Sequence, residues 1–341
     1  MSANESKAME SNLVEIRVGG KELMVPSVRI GNRTVVSVGK RIKMATVQDE
    51  VWLEEEAVAE PEEFIRQLKK QNLKADVFSF TQKVTRAQVR HFYRYDLDNV
   101  AAIPLTTFDA WWNGLSQDPR KNVRRAAKRG VTVQAVDLDD QLIHGIVGIY
   151  NETPMRQGKP FAHYGKPFET VKKEVSTFPG RSQFIGAYCG TELIGFIKVV
   201  YMGSIAGILH IVAKVQHEDK RPANAMIAKA VELCCQRNVS FLLHGKYVYG
   251  NKVNSPLTEF KRRCGFQRIN MPRYYVPLTA KGWVFVTLGL HRGLLGLLPS
   301  GLIDLLVKMR AKFFENFRGD EDRKAAQHPE DARPEKRGLD D

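Results

Sequence analysis

Residues 182–243 read SQFIGAYCG TELIGFIKVVYMG SIAGILHIVAKV QHEDKRP ANAMIAKAVELCCQRN VSFLL. Three apolar runs stand at 182–188, 193–201 and 206–215, and the turn Cys189-Gly190-Thr191-Glu192 joins the first two into a hairpin. A polar, basic loop follows at 216–222. Ile227, Ala230, Val231 and Cys234 then recur at the spacing of one helix face, which predicts a helix over 223–236, and 239–243 reads as one more strand. Hairpin, strand, basic loop, helix and strand is the order of an α/β fold, with mixed sheets flanked by helices.

Working outward, 168–177 reads as a short amphipathic helix, and 151–167 as a polar loop shaped by Pro154, Gly158, Pro160 and Gly165. Leu142, Ile143, Ile146 and Ile149 share a face of a helix at 138–150, and 131–136 alternates as a strand. A helix over 119–129 is expected, with Asp118 as its N-cap, Pro119 at its first position and Gly130 closing it. Thr107 or Asp109 can start a short helix carrying Trp111, Trp112 and Leu115. Further upstream come strands at 14–18 and 34–38, a turn signal at Gly19-Gly20, a helix from Pro61, a strand ending near Phe80 and another through 100–105. These elements predict an N-terminal domain over 1–150 and a second over 151–280.

Beyond them, 283–307 is rich in Leu, Val and Gly but contains His291, Arg292, Pro299 and Asp304. A membrane-spanning helix would bury Arg292 and Asp304 at heavy cost. Residues 281–318 are therefore expected as amphipathic helices lying on a membrane interface, and the charged stretch 319–341 as a disordered tail.

The chain has 341 residues, 43% of them hydrophobic, and a formal net charge of +14. That length can bury two cores, and a balance so basic predicts an anionic partner: a nucleotide, a nucleic acid or an acidic membrane surface. The four cysteines form no C-x-x-C pair, and Cys234 and Cys235 are adjacent inside a helical pattern. A reduced, cytoplasmic setting fits this, with peripheral attachment to the inner face of a membrane as an extension. Residues 1–12 are polar, which gives no secretory signal. No G-x-S-x-G, G-x-x-x-x-G-K-[ST] or H-E-x-x-H motif is present, and no metal-ligand spacing is seen.

Lys220-Arg221-Pro222-Ala223-Asn224-Ala225 enters the helix at 223–236. A helix N-terminus offers unpaired N–H groups to phosphate, small residues at Ala223 and Ala225 let an anion approach, and Lys220 and Arg221 add charge. On the helix at 119–129, Arg120, Arg124 and Lys128 form one row and Lys121, Arg125 and Arg129 a second, a basic face that an anionic partner would relieve.

Together these residues resemble the acetyl-CoA half of the GNAT fold. Trp111-Trp112 with the basic stretch 120–131, and Leu257-Thr258-Glu259-Phe260-Lys261-Arg262-Arg263-Cys264-Gly265-Phe266, are similar to segments of the Fem peptidyltransferases. The resemblance covers roughly residues 90–275. It implies tandem GNAT-like domains and transfer of an acyl or aminoacyl group to an amine. The donor is expected to be acetyl-CoA or another acyl-CoA, bound at Lys220, Arg221, Ala223, Asn224 and Ala225, with aminoacyl-tRNA as the alternative donor. The acceptor is expected to be a cell-envelope or polysaccharide precursor. Two departures stand out. Ala-x-Ala replaces the Gly-x-Gly usual at the donor loop, and His244-Gly245 stands where Fem enzymes place an acid. They support a rival reading, an inactive scaffold binding anionic lipid or polymer, and the basic residues support a third, a tRNA-binding protein.

The loop 151–166 is dense in reactive groups. Glu152 or His163 can take a proton from an amine, Tyr164 can give one to a leaving group, and Arg156 and Lys166 can hold phosphate or carboxylate. Strand ends in an open α/β sheet face the ligand crevice, so Lys246, Tyr249 and Lys252 are candidate substrate contacts, and Lys261 joins them through the resemblance. His210 lies on the strand where many acetyltransferases carry a base, but its apolar neighbours Leu209 and Ile211 predict a satisfied core histidine.

Overall fold

The computed structural model describes residues 12–18, 21–250 and 255–292. The chain divides into two compact units, Met1–Thr279 and Ala280–Asp341.

The first unit opens with four strands: β1 (Asn12–Val18), β2 (Lys21–Ile30), β3 (Arg33–Val38) and β4 (Met44–Val47). Gly19-Gly20 lies outside the described residues, but Val18 pairs with Lys21, so the hairpin connection is two residues long. Helix α1 (Pro61–Lys70) starts on a proline, whose missing N–H has no partner to lose there, and buries Ile65 and Leu68. Strands β5 (Val77–Thr81) and β6 (Arg94–Pro104) follow. Helix α2 (Phe108–Gly114) is capped by the Thr107 hydroxyl, which accepts the Ala110 N–H. Helix α3 (Gln117–Lys128) begins two residues before the expected start: Ser116 is its N-cap and Pro119 sits within the first turn. A proline is tolerated there because first-turn N–H groups have no intrahelical partner.

Strand β7 (Val131–Val136) and helix α4 (Asp140–Tyr150) come next, and the Asp139 carboxylate caps α4 by accepting the Leu142 N–H at 2.7 Å. The loop after α4 carries a minimal hairpin, β8 (Met155–Arg156) and β9 (Lys159–Pro160). Then follow α5 (Phe168–Val175), β10 (Ser182–Cys189), β11 (Glu192–Met202), β12 (Ile205–Ala213), a short 3-10 helix (Val215–Lys220), α6 (Pro222–Gln236), β13 (Phe241–Leu243), α7 (Pro256–Arg263) and β14 (Gln267–Pro277). The strand expected to run to residue 215 stops at Ala213, and the 3-10 helix takes up most of the expected basic loop.

Twelve strands form one mixed sheet in the order β1-β2-β3-β4-β5-β14-β6-β13-β12-β11-β10-β7. The pairs β4–β5 and β12–β13 are parallel. Sequence patterning missed β2, β4 and β14, and β14 occupies the centre, between β5 and β6. One apolar cluster joins Trp111, Ile197, Ile208, Met226, Val231 and Phe266, and brings α2, α3 and α6 onto one face of β10–β12. A second, with Ile143, Ile146, Tyr150, Val171, Phe184 and Phe196, brings α4 and α5 onto the other. A third joins Val35, Ile65, Leu68, Phe78, Phe80 and Tyr274 across the N-terminal strands. Apolar burial of this kind contributes roughly 25 cal/mol per Å² removed from water.

In the second unit the described residues form helix α8 (Ala280–Thr287) and a 3-10 turn (Leu290–Arg292). The rest of the expected interfacial segment, 293–318, and the tail 319–341 lie outside the described residues.

Candidate active site

Strand β12 pairs with β11 along its length, yet with β13 only over Ile205–Gly207. Past Leu243 the chain follows β6 instead: the His244 N–H donates to the Ala101 carbonyl at 2.9 Å, and the Ala101 N–H donates to the Gly245 carbonyl at 2.8 Å. The sheet therefore opens as a wedge along residues 208–213 of β12. A bulge falls at its mouth, since Ile208 pairs with Val199 and His210 with Lys198, leaving Leu209 as the extra residue. Such a bulge re-aims side chains beside the opening.

His210 stands at this bulge. Its ring lies 6.1 Å from that of His163 and 6.2 Å from that of Phe196. Burial first, then the neighbouring His163, pushes its pKa down to about 4, so the ring is neutral at neutral pH. The sequence expectation of a satisfied core histidine named no partner for it; His163 arrives from a separate loop.

That loop is built largely from the candidate residues. The His163 ring stacks on Tyr150 at 4.4 Å and 25°, and Tyr150 is fully buried with no hydrogen-bond partner for its hydroxyl among the described residues. Lys166 donates to both oxygens of the buried Glu174, at 2.6 and 2.9 Å, and lies 3.1 Å from His163 Nδ1. Glu174 Oε2 also lies 3.6 Å from His163 Nδ1, so this nitrogen sits against the Lys166–Glu174 ion pair. Tyr164 is half exposed, and the Gly165 N–H donates to the Asn151 side chain at 2.7 Å.

Two expected site residues are committed to holding the loop. Arg156 donates to the carbonyls of Ala213 (2.7 Å) and Ile149 (3.0 Å) and to Glu152 (3.2 Å), with its guanidinium 4.3 Å from the Phe161 ring centre. Glu152 accepts the backbone N–H groups of Val215 at 2.7 Å and Gln216 at 2.9 Å. The carboxylate expected as a base thus caps the 3-10 helix that leads into the expected donor loop, and takes up two amides at the start of that helix.

Around α6, Arg221 is exposed in a left-handed conformation (φ 60°), Ala223 is half buried and Ala225 is buried. The Lys220 ammonium lies 2.9 Å from His217 Nδ1 and 3.2 Å from Cys189 Sγ. The Asn224 amide turns to Cys264 Sγ at 3.7 Å.

Across the wedge, Lys261 is 1% exposed and donates to the carbonyls of His244 (2.8 Å) and Lys246 (2.6 Å). Burial pulls its pKa down to about 8. It pins the turn 244–246 from inside. Lys246 pairs with Asp98 at 2.9 Å, and Tyr249 is exposed with its hydroxyl against Gly245. His244 is partly buried, its ring 5.6 Å from that of Phe266, and its pKa falls to about 3, first through desolvation and then through Lys261. Lys252 lies outside the described residues. Behind this turn Gly265 adopts φ 87° and leaves room for Trp111, whose indole N–H donates to the Cys264 carbonyl at 3.2 Å.

Helix α3 packs on α6 and on the 3-10 helix, where Arg129 pairs with Asp219. Lys121, Arg124, Arg125 and Lys128 are exposed beside them. The structure therefore brings together the basic helix, the candidate donor loop and the loop 151–166, three features that the sequence presents separately. Among the described residues, no cluster of three or more His, Cys, Asp or Glu could hold a metal. Among them, too, no helix is long and apolar enough to cross a membrane.

No protein-family model and no curated protein matches this sequence. Solved structures do. FemX aligns with a TM-score of 0.54 at 11% identity, over 82% of this chain and 90% of its own. L-PGS from Bacillus licheniformis aligns with a TM-score of 0.47 at 12% identity, over 78% and 86%. A tandem GNAT protein from the clavulanic acid biosynthesis pathway aligns with a TM-score of 0.39 at 10% identity, over 76% and 81%. The expected α/β fold, a large mixed sheet flanked by helices with the architecture of FemX, is what this chain adopts.

Proposed function

We propose that this chain transfers an acyl or aminoacyl group to an amine, with the chemistry at the wedge between β12 and β13. The observation that carries the reading is the wedge itself: an opening in mid-sheet, bordered by strand backbone, bulged at His210 and flanked by a stapled loop of reactive side chains. Backbone N–H groups along such an edge can polarise a carbonyl without reorganising, and a bound donor and amine gain from proximity. Once the amine has added, the ammonium of the tetrahedral adduct is strongly acidic, so a weak base such as neutral His210 suffices to take its proton. His163, its Nδ1 held against the Lys166–Glu174 pair, suits hydrogen-bond donation through Nε2 to the carbonyl oxygen or to the leaving group. The likeness in fold to FemX supports this reaction class.

For the donor, the geometry favours aminoacyl-tRNA over acyl-CoA. The 3-10 helix that leads into the donor loop has two of its amides taken by Glu152 and carries Glu218 and Asp219 next to Lys220 and Arg221, which disfavours a diphosphate there. The exposed basic row on α3 offers a polyanion several phosphate contacts instead. The acceptor proposed from the sequence resemblance, an amine on a cell-envelope or polysaccharide precursor, is carried forward with this reading.

Titration with aminoacyl-tRNA and with CoA, at several salt concentrations, tests it. Wild type should bind aminoacyl-tRNA with a steep salt dependence. The triple variant Arg124→Glu, Arg125→Glu, Lys128→Glu should lose roughly two to three units of the log–log slope. Binding of CoA that Arg221→Glu abolishes, with none of tRNA, would overturn the choice of donor and restore the acyl-CoA reading. Binding of neither would favour the scaffold that has lost its reaction.

A further inference from the structure

Between β5 and the start of β6 the chain runs Arg86-Ala87-Gln88-Val89-Arg90-His91-Phe92-Tyr93-Arg94-Tyr95. No acidic residue falls in this run; Arg86 lines a groove with Glu55, Glu60 and Glu63, while Arg90 and Arg94 are exposed to either side of Phe92. Phe92 has a relative exposure of 110%, as open as a side chain can be, and Val89, Tyr95 and Leu97 near it are exposed as well.

This loop is firmly held. The backbone N–H groups of Arg90 and His91 donate to the hydroxyl of Tyr274, at 3.0 and 3.4 Å. That hydroxyl donates in turn to Gln82 Oε1 at 2.7 Å, and Tyr274 is fully buried. The His91 ring meets Tyr274 edge-on at 5.1 Å and lies 5.9 Å from Phe80. Tyr93 packs its edge on Phe80 and donates to Glu62 at 3.1 Å. Both neighbours of Phe92 thus turn inward onto the N-terminal core, and the alternation leaves Phe92 pointing out. The core gains nothing from Phe92 there, and its ring, projecting between the exposed Arg90 and Arg94, gives the anchored loop an aromatic tip with a basic collar.

We propose that this loop docks the protein on an anionic lipid bilayer, with Phe92 inserted at headgroup depth and Arg90 and Arg94, two residues to either side of it, on the lipid phosphates. Aromatic rings favour the membrane interface, and basic side chains close to an anionic leaflet add to the attraction. The shape fits a bilayer better than a protein, because a lone projecting ring enters a fluid interface without a preformed pocket. The chain's net charge of +14 acts in the same direction. This inference does not rest on the transferase reading, and its site is distinct from the residues assigned there.

Flotation of the full chain with vesicles tests it, using phosphatidylcholine alone and phosphatidylcholine with about a third phosphatidylglycerol. Wild type should float with the anionic vesicles and be released by salt. Phe92→Ser, at a fully exposed position, should keep its fold and bind roughly ten- to hundredfold more weakly, the effect of withdrawing one aromatic side chain from an apolar environment. In Phe92→Trp, emission should shift to the blue on vesicle addition and be quenched by brominated lipid. Equal binding of wild type and Phe92→Ser would overturn the proposal and place membrane contact elsewhere on the chain. Unshifted emission in bound Phe92→Trp would do the same. If Phe92→Ser instead changes self-association in sedimentation velocity, the loop faces a second copy of this chain and the bilayer assignment fails.

Discussion

Replacing Glu152 by glutamine should loosen one loop and open another. The Glu152 carboxylate takes three N–H groups, from Val215 at 2.7 Å, Gln216 at 2.9 Å and Arg156 at 3.2 Å. Its side chain is 14% exposed, so water replaces little of what is lost. Glutamine has one acceptor oxygen and turns an NH2 group towards one of those donors. The loss is at least one charge-assisted hydrogen bond, with a donor left facing a donor, or about 2–4 kcal/mol. For a unit of this size that lowers the melting temperature by roughly 4–8 °C. The same change frees an amide at the start of the 3-10 helix and removes a negative charge beside it. Thermal unfolding with and without CoA reads both effects. Wild type should show no gain with CoA, and Glu152→Gln should start lower and gain. A variant as stable as wild type would refute the anchoring role. A CoA-dependent gain present in wild type and lost in the variant would refute the idea that this carboxylate fills an anion's place.

Lys261→Met should lose stability in a pH-dependent way. The folded pKa of about 8 lies below the ordinary 10.5, so between those values the unfolded chain holds a proton that the folded chain has released. The advantage of wild type over the variant should therefore widen as pH rises through that window, by up to about 3 kcal/mol, and a constant difference in urea titrations at its two ends would refute this. His210 behaves as the acid counterpart. With its pKa near 4 instead of 6.5, its contribution to stability is present above 6.5 and lost as pH falls towards 4, and an imidazole resonance titrating near 6.5 would contradict the packing described. Gly265→Ala should destabilise by about 2–4 kcal/mol in calorimetry, because φ is 87° and the added carbon would lie 2.9 Å from Trp111 Nε1. Arg156→Lys should cost about 2–3 kcal/mol and reduce transfer activity, since an ammonium cannot reach the carbonyls of Ala213 and Ile149 together with Glu152 as the planar fork does. Full activity in that variant would remove the stapled loop from the mechanism.

Much of the wedge's surroundings was legible in the sequence because their periodicity is strong. The runs at 182–188 and 193–201 and the helix over 223–236 match β10, β11 and α6 to within a residue or two. Strand β14 was not legible. Its sequence QRINMPRYYVP has Pro272 in the middle and no clean alternation, and proline argues against a central strand. The structure places it centrally all the same, with Pro272 opposite Leu97 and its carbonyl accepting the Thr81 hydroxyl. Strand β2, which carries Pro26, escaped for the same reason. In the candidate site, the loop 151–166 could be recognised by its density of reactive groups. What each group does could not, because its partners are remote: Glu174 for Lys166, the 215–216 amides for Glu152, His210 for His163. A carboxylate looks the same in sequence whether it waits for a proton or caps a helix.

The placement of β14 has a consequence for synthesis. Strands β5 and β6 follow one another closely in the chain but never pair, because β14 fills the space between them. As the protein leaves the ribosome, both strands emerge with bare inner edges, and more than 160 residues separate the end of β6 at Pro104 from the start of β14 at Gln267, which closes the gap. Contacts of such separation make folding slow, and open edges held that long invite pairing with other chains. The nascent chain therefore has strong reason to meet a chaperone. A version cut before Gln267 leaves the sheet in two pieces with no strand to join them.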